Sequence, residues 1–153
     1  MNSLQLIETF KCLDKDNSGY IELSEFKEGI KLIYGIADNS ADNIINDIFK
    51  FIDGYGLFNS KDSRLNKDEL RKIWKKIPEN PTEGKEGIYE LMFNIVDLNN
   101  SGFIEEDEFK VYLRRVEETK LKSKEINNLF VKLQTEIGKI DKNKFIEYIT
   151  KLD

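Results

Sequence analysis

No histidine occurs in these 153 residues, and cysteine occurs once, at Cys12. The first absence excludes His-based catalytic triads and His-ligated metals. The second excludes a disulfide scaffold and a Cys-rich zinc site. Methionine is limited to Met1 and Met92, and tryptophan to Trp74. No uncharged apolar run approaches the length that crosses a bilayer. Met1 to Phe10 has no basic segment ahead of an apolar one, and Asn2 stands where N-myristoylation requires glycine. A soluble, cytoplasmic, monomeric protein with no membrane anchor is therefore expected. A basic stripe is also missing: the net charge is −5, and the run Arg71, Lys72, Lys75, Lys76 reads as the solvated face of a helix rather than a nucleic-acid site. What is abundant is carboxylate, from 29 acidic residues, whose hard oxygens suit Ca2+ or Mg2+. Ten Phe and six Tyr supply too many apolar anchors for a disordered acidic tail, and the length suits one domain or two small lobes.

Two segments are copies of one another. Asp14 to Glu25 reads DKDNSGYIELSE, and Asp97 to Glu108 reads DLNNSGFIEEDE. Each has a Phe four residues before its first Asp (Phe10, Phe93) and another directly after its last Glu (Phe26, Phe109). Two faded copies share this frame. One runs from Phe49 through Asp53 to Glu69 and Leu70, and the other from Phe130 to Lys144 and Phe145. The flanks carry apolar residues at helical spacing: Leu4, Ile7 and Phe10; Phe26, Ile30 and Ile33; Ile44, Ile48 and Ile52; Leu70, Ile73 and Ile77. Leu91, Ile95, Phe109, Tyr112, Val116, Leu133, Phe145 and Ile149 continue the pattern, and these stripes read as core. Ser40 and Ser123 are the expected N-caps of two of the helices, and Pro78 ends another. Two prolines and two glycines within residues 78–87 make a helix through that stretch improbable. The chain thus reads as four helix–loop–helix units, in an N-terminal pair over residues 1–77, a linker over 78–87 and a C-terminal pair over 88–153.

The two clear segments match the EF-hand pattern: oxygen-bearing residues at loop positions 1, 3 and 5, glycine at 6 and glutamate at 12. In the first loop Asp14, Asp16 and Ser18 supply side-chain oxygens and Tyr20 its carbonyl. Glu22 reaches the ion directly or through water, and Glu25 clasps it with both oxygens. The second regular loop repeats the set with Asp97, Asn99, Ser101, Phe103, Glu105 and Glu108. Gly19 and Gly102 stand where the chain must turn sharply, since a residue without Cβ adopts positive φ at little cost. The faded loops lack the pattern. Asp53 to Glu69 spans seventeen residues and carries Leu57, Phe58 and Lys61 in its middle; an irregular site from Asp53, Asp62 and Glu69 stays open. The last loop, Gln134 to Lys144, places Ile137 among the ligands and a lysine where glutamate belongs, so it is expected not to bind.

Over essentially its whole length the chain resembles the calmodulin-like four-EF-hand calcium-binding family, on the strength of DKDNSGYIELSE and DLNNSGFIEEDE. The resemblance implies an all-α fold of two lobes, each pairing two helix–loop–helix units through a short two-stranded antiparallel β link. It sets Ile21 beside Leu65 and Ile104 beside Ile140. It implies two bound Ca2+, with Mg2+ as a competitor, one ion in each lobe and a Hill coefficient near one. The function it implies is a calcium-signalling sensor, whose lobes expose an apolar groove to a helix of a protein target. A buffer like the sarcoplasmic calcium-binding proteins and a light-chain-like regulatory subunit are the alternatives. Two methionines are few for the adaptable, Met-rich groove of calmodulin. An enzyme is not expected: no nucleophile–base pair or phosphate loop is visible.

Ligand charge tunes affinity. The first loop offers four side-chain carboxylates against three in the second regular loop, so the N-terminal site is predicted to bind more tightly. Calorimetric titration of Glu25→Gln and Glu108→Gln checks this. Tighter residual binding in Glu25→Gln than in Glu108→Gln reverses the ranking.

Overall fold

Ile21, Leu65, Ile104 and Ile140 are fully buried, and each half of the molecule is organised around one pair of them. The computed structural model describes Glu8 and residues 11–53, 63–116 and 122–152. Strands β1 (Ile21–Glu22) and β2 (Arg64–Leu65) pair antiparallel with Ile21 opposite Leu65. Strands β3 (Phe103–Ile104) and β4 (Ile140–Asp141) do the same with Ile104 opposite Ile140. Two-residue strands are not stable by themselves, so the ladders depend on the helices around them. Each strand leads into a helix: α1 (Leu23–Tyr34), α3 (Lys67–Trp74), α5 (Glu106–Val116) and α7 (Lys142–Leu152). Helices α2 (Asp42–Ile52), α4 (Lys85–Val96) and α6 (Ser123–Leu133) enter the second, third and fourth loops. Residues 11–13 are helical ahead of the first loop; Leu4, Ile7 and Phe10 lie outside the described residues. The fold is all-α with two small β links, as expected.

The chain divides into two compact units, Met1–Ile88 and Tyr89–Asp153. In the first, α1 buries Phe26, Ile30 and Tyr34, α2 buries Ile44, Ile45, Ile48 and Phe49, and α3 buries Leu70, Ile73 and Trp74. The rings of Phe26 and Phe49 pack tilted with centroids 5.7 Å apart. In the second, Phe93 packs on Phe145 at 6.0 Å, Phe109 on Phe130 at 6.1 Å, and Tyr112 meets Phe145 edge-on at 5.2 Å. Among the described residues, the Phe residues that frame the repeat are therefore core anchors. Among the described residues no helix is long and apolar enough to cross a membrane.

Two local expectations are corrected. Ser40 does not cap α2: Ala41 is its N-cap residue. Both the N–H and the hydroxyl of Ser40 are bonded to Asp38 Oδ1, at 3.1 and 2.7 Å, in the turn before it. Ser123 is the first helical residue of α6, one place too late to cap it, and Lys122 holds the cap position. No helix runs through the stretch 78–87: residues 78–84 are non-helical, and α4 starts at Lys85. Its start is tied to the end of α1: Gly84, at φ +85°, donates its N–H to the Tyr34 carbonyl at 2.8 Å. Gly87 is buried where a Cβ would collide with the Thr82 carbonyl oxygen and press on the Tyr34 ring.

Helix propensity alone favours alanine over glycine by about 1 kcal/mol. At Gly87 the collision reverses the sign, and overpacking of this kind costs about 1–3 kcal/mol. Gly87→Ala should therefore lower the midpoint of urea unfolding. A raised midpoint would show that the backbone at Thr82 yields freely.

Candidate metal centre

Asp14 follows the helical residues 11–13 and is buried, and its two carboxylate oxygens organise the first half of the loop. Oδ2 accepts the Gly19 N–H at 2.8 Å. Oδ1 accepts the Ser18 N–H at 3.0 Å and the Ser18 hydroxyl at 3.2 Å. Asp16, exposed, also accepts the Ser18 N–H, at 3.1 Å. The Ser18 hydroxyl lies 3.0 Å from the Tyr20 carbonyl oxygen. Asn17 and Gly19 turn the chain with φ of +55° and +83°. From the other side comes Glu25, in the first turn of α1. Its Oε2 accepts the Lys15 N–H at 2.8 Å and its Oε1 the Glu22 N–H at 3.0 Å. The outcome is that Asp14, Asp16 and Glu25 each offer a carboxylate oxygen within 4.8 Å of the other two. The side chain of Glu22 is exposed.

The second regular loop repeats these bonds one for one. Asp97 accepts from the Gly102 N–H at 2.8 Å and the Ser101 N–H at 3.1 Å, Asn99 from the Ser101 N–H at 3.1 Å, and Ser101 Oγ lies 2.9 Å from the Phe103 carbonyl. Glu108 accepts the Leu98 N–H at 2.7 Å and the Glu105 N–H at 2.9 Å. Three features differ, the first being that the Asn99 backbone N–H also reaches Glu108 Oε2, at 3.4 Å. Asn99 donates its side-chain N–H to Glu105 Oε1 at 3.3 Å, and Lys139 Nζ lies 3.6 Å from the same oxygen. The donors gathered in both loops are oxygens throughout, from carboxylate, amide, hydroxyl and carbonyl, the set that suits Ca2+. In the first loop the three converging carboxylates repel one another, so a divalent cation there is favoured by simple electrostatics.

Among the described residues, the degenerate loops keep the positive-φ turn, the buried ladder residue and the exit helix of this design. Asp53 and Glu69 are both buried. Asp53 Oδ2 accepts the Ser63 N–H at 2.8 Å, as Asp14 accepts that of Gly19, and Glu69 Oε1 accepts the Asn66 N–H at 3.0 Å. Ser63, at φ +65°, thus stands in the glycine position, and the extra length falls between Asp53 and Ser63. Residues 54–62, with Leu57, Phe58, Lys61 and Asp62, lie outside the described residues. In the last loop Gly138 holds the turn at φ +77°. The Lys139 carbonyl, counterpart of those of Tyr20 and Phe103, accepts both the N–H and the hydroxyl of Thr135, at 2.8 and 2.9 Å. Ile137 and Lys144 are exposed, and the Lys144 N–H is bonded to Asp141 Oδ1 at 2.7 Å. Counting twelve residues back from Glu69 puts Ser63 where the glycine belongs, and there it turns the chain; sequence reasoning gave no sign that Lys139 reaches Glu105.

Residues 5–33 and 88–116 each match the EF hand domain family. These are the two regular units. A calcium-dependent protein kinase, number 11, from rice is 29% identical over 95% of this chain. Calbindin-32 of Drosophila melanogaster is 28% identical over 74% of it. The matches support an EF-hand calcium-binding family. The chain spans 23% of the length of the rice protein and 40% of that of the fly protein. Calcium binding follows from these matches together with the oxygen-lined loops.

Burial raises the pKa of Glu108 above the usual carboxylate value, outweighing the N–H groups of Glu105, Asn99 and Leu98, and the charge of Asp97 adds to the rise. Asp16 is shifted the other way, held low first by the Ser18 side chain and then by Asp14. For Glu108 the folded value exceeds the unfolded one, so its contribution to stability is greatest below the unfolded pKa and is lost as pH rises through the folded one. Cation binding requires the ionised form and so displaces the proton. On adding Ca2+ to the Glu25→Gln chain at mildly acidic pH, a pH-stat should register proton release. The Glu25→Gln/Glu108→Gln chain should release none.

Proposed function

We propose that the protein is a two-site calcium sensor of the calmodulin-like, four-EF-hand type. Asp14, Asp16, Ser18, Tyr20, Glu22 and Glu25 hold one ion, and Asp97, Asn99, Ser101, Phe103, Glu105 and Glu108 hold the other. The observation that carries this is the repetition of the two loops' bonds, each loop closed by a glutamate that takes backbone N–H groups from both ends. Calcium, when bound, supplies the positive charge that offsets the gathered carboxylates. Glu25 and Glu108 sit in the first turns of α1 and α5, so any shift of these side chains toward an ion pulls on the helix that follows. In this reading residues 1–77 and 88–153 form two lobes, the second and fourth hands complete the ladders without ions of their own, and an apolar helix of a protein target docks when a lobe opens. The molecule is a cytoplasmic, non-enzymatic monomer.

A calcium buffer is the second reading, favoured by the scarcity of methionine and by how fully the apolar side chains are already packed, Met92 among them. Trp74 separates the two, since it is only 5% exposed. For a sensor, Ca2+ added over excess Mg2+ red-shifts its emission and promotes binding of an apolar dye. Titration of each lobe then gives a Hill coefficient near one. Calcium uptake with neither optical change establishes the buffer instead.

A further inference from the structure

The degenerate loops put a basic side chain where the regular loops put an aromatic one. Immediately before the buried ladder residue stand Tyr20 and Phe103 in the regular loops, but Arg64 and Lys139 in the degenerate ones. A loop that only offers its carbonyl at that position has no need of a cation. The antiparallel register then decides where these cations go. Arg64 is paired directly with Glu22, and its guanidinium carbon lies 4.0 Å from the centroid of the Tyr20 ring. With Ile104 opposite Ile140, Lys139 falls opposite Glu105, one step past the ladder. There its Nζ lies 3.6 Å from Glu105 Oε1. Glu105, Glu106 and Asp107 line one open cleft together with Lys110, Gly138 and Lys139. In the C-terminal unit the cation of the degenerate loop thus meets the ninth-position side chain of the regular one, and in the N-terminal unit it is paired with that position in register while its guanidinium stacks on the seventh.

We infer that Arg64 and Lys139 are affinity-setting residues, each an internal cation that weakens calcium binding at the neighbouring regular loop. The inference rests on the calcium reading above. The pair of Lys139 and Glu105 is substantially exposed, with side chains 42% and 34% accessible, and such pairs add little to fold stability. A fixed positive charge beside a ligand of a doubly charged ion acts more strongly, by holding Glu105 in a competing pair and by repelling the ion across a short distance. The degenerate hands are then regulators of affinity as well as packing partners.

The test uses the whole chain with Glu25→Gln, so that only the C-terminal loop titrates. By calorimetry at low salt, Lys139→Gln should tighten calcium binding about three- to tenfold, the scale of one charge acting on a divalent ion through water-like dielectric. Lys139→Glu should tighten it further, Lys139→Arg should leave it unchanged, and the differences should shrink in about 1 M salt. In chelator the Lys139→Gln chain should melt close to its parent, which separates a charge effect from a packing defect. Arg64→Gln in the Glu108→Gln background should act the same way at the N-terminal loop. Unchanged or weaker binding in Lys139→Gln overturns the inference while leaving calcium binding intact, and weaker binding would make Lys139 a residue that positions Glu105. Failure of the unaltered chain to take up calcium overturns both.

Discussion

A buried carboxylate that accepts one backbone N–H from each end of its loop is the constraint on which the architecture depends. Glu25 joins Lys15 to Glu22, and Glu108 joins Leu98 to Glu105. Removing an ionised carboxylate from water is costly unless its oxygens are hydrogen-bonded, and here the loop's own amides serve. The same residue lies in the first turn of a helix, where the helix dipole favours negative charge. Loop closure, the start of the exit helix and the placement of the ladder strand thus meet in a single side chain. Glu69 likewise accepts the Asn66 N–H, and Asn66 in turn accepts the Glu69 N–H at 2.9 Å. Where Lys144 replaces the glutamate, Asp141 caps the helix instead, and the helix survives without the clasp.

That division explains how one fold tolerates loops of such different length. In all four, the residue at the turn has positive φ, the next but one is the buried ladder residue, and the exit helix follows. The variation falls ahead of the turn: Gly19 and Gly102 come five residues after Asp14 and Asp97, Ser63 ten after Asp53, and Gly138 four after Gln134. The entering helices end alike in the three loops where this is described, with Asp53, Asp97 and Gln134 donating to the Phe four residues earlier at 2.9 Å. Length changes are cheap in a segment whose ends are both fixed. The half that carries most early ligands is the one free to diverge, so ion binding can be lost without loss of the lobe.

Much of this was legible in the residues. The spaced phenylalanines marked the core, and Gly19 and Gly102 marked the turns, because only glycine takes positive φ without penalty. The ladder pairs Ile21–Leu65 and Ile104–Ile140 followed from the resemblance rather than from local pattern, since two-residue strands carry no periodicity of their own. Ser63 was legible only by counting back from Glu69 to the glycine position: serine seldom adopts a left-handed turn, and what holds it there is the buried Asp53 carboxylate, ten residues away in sequence. Ser40 misled because its hydroxyl had a nearer acceptor in Asp38. Gly87 is informative only once Thr82 and Tyr34 surround it. In each instance the deciding partner was distant in the chain or competed locally, and neither shows in a motif.

In the proposed reading, one ion in each lobe also limits what a sensor of this design can do. A ligand shifts a two-state equilibrium only by its differential affinity for the states, and a change from 1:99 to 99:1 requires roughly 10^4-fold preference. With two coupled ions a lobe divides that requirement between sites; with one, Glu25 or Glu108 must meet it alone. The closed and open arrangements of each proposed lobe must then be close in free energy, or the response incomplete. A basic residue opposite the ninth loop position fits this constraint. It weakens the site without touching the clasp that links ion to helix, so threshold and amplitude are set by different residues. An ion-less hand that contributes both the partner strand and the opposing charge is then a working part of the switch.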